Sequence, residues 1–493
     1  MLFNSYVFIF SFLPLTLIIF FGLTKFGLIK ITKIWLIISY FTFYGYWNVA
    51  YLPLLIISIF WNYQMGRFIA DAKPESQQAN VLLWIGIAVN LAIISYYKYA
   101  NFFWDTVNSV VSTNLNAGEI ILPLAISFYT FTQIAYLVDA YRGETRETNY
   151  DLPTYSLFVV FFPQLIAGPI LRHDELIPQF RQLRNFIFSQ KNMALGLSLF
   201  SLGLCKKVLI ADTISPWVAL GFNNAEDLSF IEAWVGALSY AFQLYFDFSG
   251  YSDMAIGLGL MFNIKLPINF NSPYKAISIS DFWRRWHITL SNFLRDYLYI
   301  PLGGSRRTEL RCYSNLMITM LLGGLWHGAG WNYVIWGGLH GVYLSINHWW
   351  RKLNIPMPKV LAWVITFIAV IISWVLFRGQ NIQDSLDILQ TMIGLNGVVI
   401  PGEAKGKLSV LVNFGFQLKS WSDLAYLPKL WGSKSFSILT LIVLTFSVIL
   451  LPNTQEILAK LKPTWSWAIL IGVLTSVALL SLNRVSEFLY FQF

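Results

Sequence analysis

The sequence predicts an all-α polytopic membrane protein, and three observations carry the prediction. Of its 493 residues, 56% are hydrophobic and 12% are charged, against about 25% charged in soluble domains. Folded in water, such a chain would carry a largely apolar exterior. Its apolar residues fall in runs, many near the ~20 residues that cross a bilayer as a helix. None of the runs alternates as a barrel strand would, so backbone polar groups must be satisfied within helices. About 10 to 12 transmembrane helices are expected.

Taken in order, the first run spans Tyr6 to Leu23. It has no basic residue before it and no small-residue cleavage site after it, so it reads as a retained span and not as a signal peptide. Lys25, Lys30 and Lys33 follow, which puts that loop in the cytoplasm and the N-terminus outside. Further runs lie near 34–49, 51–65, 80–98, 119–139, 154–170, 193–211, 230–247, 252–264, 313–326, 330–347, 359–377, 436–451 and 466–482. The short ones and those holding Gly or Pro suit re-entrant or interfacial segments.

The polar stretches fill in the topology. Residues 142–151 form a short loop. Residues 171–191, with Arg172, Arg181, Arg184 and Lys191, read as an amphipathic stretch on the cytoplasmic surface. Residues 223–232 hold Glu226, Asp227 and Glu232 without a basic residue and read as outward-facing. Residues 303–311 hold Arg306, Arg307 and Arg311. Residues 378–435 are expected to be a small extramembrane insertion in a single membrane domain, 1–493, that ends in C-terminal transmembrane helices at 436–493. The net charge of +9 fits Lys and Arg gathered against anionic lipid, not a nucleic-acid partner. Cys205 and Cys312 lie beside Lys206, Lys207 and Arg311; those loops read as cytoplasmic, where a disulfide is not expected. No inverted repeat of the transporter kind is visible.

The chemistry is concentrated in 245–341, an apolar region that nonetheless carries acids, arginines and three of the five histidines. Ionisable groups at membrane depth mark cavities and pathways. Tyr245 to Asp253 (YFDFSGYSD) brings Asp247 and Asp253, read either as a polar cavity wall or as interfacial acids flanking a helix break at Gly250. Asp281 to His287 (DFWRRWH) brings Arg284, Arg285 and His287. Paired arginines match phosphate bidentately, and the rival reading is a positive-inside anchor. Gly323 to Asn332 (GGLWHGAGWN) sets Trp326, His327 and Asn332 among glycines that let backbone or substrate approach closely. Imidazole titrates near neutrality and suits general-base work. A metal reading is weak. His327 and His340 are 13 residues apart, about 220° around one helix, and no H-E-x-x-H or cysteine cluster is present.

At these clusters the sequence resembles the membrane-bound O-acyltransferase (MBOAT) family, in particular the bacterial branch serving polysaccharide O-acetylation, including the alginate O-acetylation membrane subunit. The matching stretches are Phe161 to Arg172 (FFPQLIAGPILR), Tyr245 to Gly257, Asp281 to Gly304 and Leu322 to Gly341, and the resemblance covers roughly residues 1–378. It implies a ring of tilted helices around a central tunnel. His327, in Trp-His-Gly, resembles the family's catalytic histidine, and His287 the second histidine of the reaction chamber. The resemblance further implies that acetyl-coenzyme A or a related thioester is the donor, with no bound cofactor. Arg284 and Arg285 would then hold donor phosphates, and Trp326, Asn332, Asp247 and Asp253 would line the tunnel or orient the histidines. The implied partners are membrane lipid, a polysaccharide acceptor and an extracytoplasmic acyltransferase or export proteins, and the implied location is a bacterial inner membrane. The D-alanyl-transferring branch that modifies teichoic acids is the alternative within the family. Outside it stand a transporter or scaffold for lipid-linked sugars, and a glycosyltransferase with a polyprenyl-phosphate donor.

Overall fold

A computed structural model describes residues 1–493 except 75, 147–149, 167, 307, 402–411, 414–415, 463, 483–488 and 490–493. Residues 147–149 of the 142–151 loop, Ala167 within the FFPQLIAGPILR stretch, Arg307 of the 303–311 stretch, and parts of 378–435 and 436–493 therefore lie outside the described residues. The described residues are mostly helical. In order come α1 (Leu13–Lys25), α2 (Ile29–Gly45), α3 (Leu52–Asp71), α4 (Gln77–Ile94), α5 (Ala100–Val111), α6 (Ile126–Tyr141), α7 (Leu152–Val160), α8 (Phe162–Leu165), α9 (His173–Arg181) and α10 (Gln190–Cys205). After them come α11 (Asp212–Phe222), α12 (Phe230–Met261), α13 (Ile279–Trp283), α14 (Ile288–Leu294), α15 (Glu309–His327), α16 (Trp331–Lys352), α17 (Lys359–Arg378) and α18 (Ile382–Met392). A two-stranded parallel pairing, β1 (Val398–Pro401) with β2 (Phe416–Lys419), precedes α19 (Lys434–Leu450), α20 (Thr454–Ala459) and α21 (Trp465–Leu480).

Among the described residues, five helical stretches are long and apolar enough to cross a membrane: Phe8–Lys25, Val49–Asp71, Gln77–Val111, Gln190–Phe222 and Lys359–Arg378. Lys434–Leu450 and Trp465–Leu480 are shorter apolar helices. Other runs expected from the sequence are differently cut. The 119–139 run becomes helical only at Ile126, and 154–170 breaks between α7 and α8, where Pro163 cannot supply an amide proton to a continuing ladder. The 230–247 and 252–264 runs fuse: α12 continues unbroken through Gly250 for 32 residues, about 48 Å at 1.5 Å per residue. The interfacial reading with a break there is set aside.

The chain divides into two compact units, with α12 shared at Gly250/Tyr251. Unit one comprises Met1–Leu204, Tyr251–Asn269 and Lys462–Leu482. In it α3, α4 and α6 pack together, and amides hold the seam. Asn62 Nδ2 donates to Asn90 Oδ1 (3.2 Å), and Asn90 Nδ2 donates back to Asn62 Oδ1 (2.6 Å). Gln133 Nε2 donates to Ser58 Oγ at 2.9 Å. In an apolar medium such groups join helices because nothing else can satisfy them. A Cβ on Gly196 would come within 2.6 Å of the Gly257 carbonyl, so α10 and the end of α12 cross in backbone contact.

Unit two contains Cys205–Gly250 and Phe270–Leu461. Its centre is the hairpin of α15 and α16, against which α17 and α13 pack. Two glycines make the hairpin tight: a Cβ on Gly324 would meet the Tyr333 carbonyl at 2.2 Å, and one on Gly337 the Met320 carbonyl at 2.3 Å. Lys352 Nζ and Glu309 Oε1, 2.6 Å apart, join the far ends. Glu232, in the acidic 223–232 stretch, is buried and accepts the Tyr426 amide at 2.7 Å, fixing the segment after β2 to α12.

Candidate active site

His327 is the last residue of α15. The chain leaves that helix through Gly328, whose Cβ, were it present, would strike the Tyr333 ring at 2.2 Å. It re-enters α16 at Trp331. His327 and His340 therefore lie on different helices, and the spacing estimate for a single helix does not apply. His287 sits in the turn between α13 and α14, at the cap of α14, with φ +43°. A histidine in the left-handed region is uncommon and costs about 1–3 kcal/mol. Surrounding contacts hold it: Ser278 Oγ accepts the Asp281 amide to start α13, the Trp286 amide donates to the Phe282 carbonyl, and the His287 carbonyl accepts the Ser291 amide.

These two short elements bring the histidines together. Their ring centroids are 6.4 Å apart. His287 is fully buried, and His327 retains 8% exposure. Aromatic rings enclose both. Around His327 stand Trp326 (5.0 Å), Trp336 (5.2 Å, perpendicular) and Phe377 (5.4 Å). Phe248 meets His287 edge-on at 4.8 Å. Such an enclosure is apolar apart from the imidazole nitrogens and the indole N–H groups of Trp326 and Trp336, and low-dielectric surroundings strengthen what polar groups do to a reacting carbonyl.

Trp326, singled out in the sequence, thus stands against His327; the other residues singled out make contacts of their own. Asn332 Nδ2 donates to the Gly379 carbonyl at 2.6 Å, tying the start of α16 to the end of α17. Arg285 pairs with Asp281 (2.9 Å) and also donates to the Asn271 carbonyl; Arg284 is exposed. Asp247 is 2% exposed and forms an ion pair with Lys207, whose Nζ also lies 2.8 Å from Asp212 Oδ1. Asp253 belongs to unit one. Lys207 corrects the reading of a cytoplasmic basic loop: it is 1% exposed, in a π-helical turn at Lys206–Ala211. What the sequence did not reveal is this triad, and Trp336, Phe377 and Phe248 as walls. A lysine two residues from a cysteine in an apolar run, with acids five and forty residues on, was the available signal.

Among the described residues one grouping offers three metal-ligand types close together: Asp139, Glu144 and His173 in unit one, with ligand atoms within 4.8 Å of one another. Arg172 reaches Glu144 at 3.0 Å and Asp139 at 3.6 Å. Its guanidinium supplies the positive charge there, so the cluster reads as an ion-pair network. Cys205 and Cys312 are not joined in a disulfide.

Comparison with known proteins shows the family. Residues 144–383 match the membrane-bound O-acyltransferase family. The peptidoglycan O-acetyltransferase of Helicobacter pylori is 43% identical across 100% of this chain and 98% of its own length. The probable alginate O-acetylase AlgI of Pseudomonas aeruginosa is 44% identical, over 78% of this chain and 73% of its own. A teichoic acid D-alanyltransferase of Bacillus subtilis is 28% identical over 52% of this chain and 69% of its own. The similarity thus extends past residue 378, where the sequence alone matches the family less clearly. With its histidine pair in a multi-pass helical chain, the protein belongs to the membrane-bound O-acyltransferase family and is an O-acyltransferase.

Proposed function

We propose that this protein transfers an acetyl group from acetyl-coenzyme A, presented on the cytoplasmic side of a bacterial inner membrane, toward hydroxyl groups of an exported glycan. The observation that carries the reading is the His327–His287 pair, 6.4 Å apart inside an aromatic enclosure. In the reaction His327 takes the proton of the acceptor hydroxyl. The oxygen attacks the thioester carbonyl, the carbon–sulfur bond breaks, and the departing thiolate takes the proton back from the imidazolium. His287 positions the acyl group and donates to the oxyanion of the tetrahedral intermediate. Arg284, the exposed member of the arginine pair, suits a donor phosphate better than Arg285, which is already held by Asp281.

For the acceptor, peptidoglycan is favoured over alginate. The similarity to the Helicobacter pylori peptidoglycan enzyme covers 100% of the chain, and that to the alginate O-acetylase AlgI covers 78%. An extracytoplasmic acyltransferase that receives the acetyl group is the expected partner. The test is base-releasable acetate on purified peptidoglycan and on exported polysaccharide from cells carrying His327→Ala, with membrane protein level controlled. Loss of acetate from peptidoglycan to the deletion background supports the reading. Wild-type acetylation of both polymers overturns the role of His327.

A further inference from the structure

His340 is the third histidine of the chemically dense region and the proposed reaction does not use it. It is completely buried on α16. Both ring nitrogens are engaged: Trp283 Nε1 is 3.2 Å from Nδ1, and Ser373 Oγ is 3.1 Å from Nε2. These partners fix the tautomer. Indole nitrogen can only donate, so Nδ1 must accept from Trp283. Ser373 spends its one proton on the Val370 carbonyl at 2.7 Å, so its oxygen must accept, and Nε2 carries the hydrogen. His340 is thus a neutral imidazole with no site left for another proton.

The elements it joins are those that carry the site. Trp283 closes α13, four residues before His287. Ser373 is on α17, four residues before Phe377, which faces His327. The His340 ring also packs on Trp336 at 4.8 Å, and Trp336 in turn meets His327 at 5.2 Å. One side chain therefore connects the turn holding His287, the wall beside His327 and the helix behind it.

We propose that His340 is a positioning residue for the acyl-transfer site: as hydrogen-bond acceptor for Trp283 it sets the His287 turn against His327. The proposal deepens, and rests on, the acyl-transfer reading. A displacement near 1 Å in such a pair costs on the order of 100-fold in turnover.

The test compares His340→Asn, whose amide oxygen takes the place of Nδ1, with His340→Leu, which fills similar volume without an acceptor, and with Trp283→Phe, which removes the donor. Purified full-length protein in lipid nanodiscs is assayed with acetyl-coenzyme A and solubilised peptidoglycan fragments as hydroxyl acceptor, and thiol release is followed. His340→Leu and Trp283→Phe should both lower kcat roughly 10- to 100-fold with KM for acetyl-coenzyme A nearly unchanged, and His340→Asn should recover most of the loss. A second arm does not depend on activity. In 15N-histidine-labelled protein, the ring resonances of His287 and His327 should move in His340→Leu, because Trp336 shifts against His327, and stay in place in His340→Asn. Unmoved resonances with wild-type kcat in His340→Leu overturn the proposal, as does equal impairment of the Asn and Leu variants. If the wild type releases no thiol while the resonances behave as expected, the acyl-transfer reading fails and the linkage of His340 to the His287 turn stands.

Discussion

At the scale of single residues, Lys207 shows how far environment outruns identity. One ammonium lies between two buried carboxylates, Asp212 and Asp247. Taking charges out of water is repaid only while the partners remain. Lys207→Met should therefore cost about 3–5 kcal/mol, the usual penalty for breaking a buried ion pair, seen as a lower thermal midpoint and a smaller folded yield in detergent. The combined change Lys207→Met, Asp212→Asn and Asp247→Asn should recover much of it. Recovery that fails to appear would show that the triad acts through something other than uncompensated charge. His287 makes a related point. Its left-handed backbone disfavours β-branched replacements, so His287→Val should fold less well than His287→Asn, and comparison of their expression levels checks this.

At the scale of elements, the α15–α16 hairpin delivers His327. It depends on glycine where backbones touch, at Gly324 and Gly337. Gly337→Ala should force the helices apart, destabilise the fold by about 1–3 kcal/mol and depress acetylation. Gly22→Ala, where a Cβ would meet nothing within 4 Å, is the matched control, and equal behaviour of the two would contradict the packing account. The opposite end of the hairpin has a pH signature. The hydrogen-bonded Lys352 ammonium holds the Glu309 carboxyl below its ordinary value. A depressed carboxyl contributes stability above the unfolded pKa, and that contribution disappears as pH falls through the folded value. The thermal midpoint of the wild type should fall more on acidification than that of Glu309→Gln, by a small margin because the pair is exposed and screened.

At the scale of the whole molecule, the sequence conveyed the membrane character and the helical class because both follow from apolar content and run length, which survive any detail of packing. His327 and His287 were legible for a different reason: an imidazole inside an apolar run is conspicuous. Their proximity was not, since it depends on two breaks, at Gly328 and at the His287 turn. The burial of Lys207 and Glu232 was hidden for the opposite reason, because charges near apolar runs are usually interfacial and their partners lie 40 and 194 residues away. The continuity of α12 through Gly250 was also illegible, because a glycine is tolerated inside a helix wherever neighbours supply the packing. Orientation remains a direct prediction from Lys25, Lys30 and Lys33. In a protein with Cys205 and Cys312 replaced, Lys25→Cys should react with a membrane-impermeant maleimide only in inside-out vesicles. Labelling in intact spheroplasts would invert the topology.

The amide pair of Asn62 and Asn90 has a consequence for biogenesis. Each side chain satisfies the other across α3 and α4, and only five residues separate the two helices. A lone α3 released laterally into lipid would keep the bond from Asn62 Nδ2 to the Ser58 carbonyl of its own helix but would carry the amide oxygen into hydrocarbon without its donor. The translocation machinery is therefore expected to hold α3 until α4 emerges, and the two enter the bilayer as a helical hairpin.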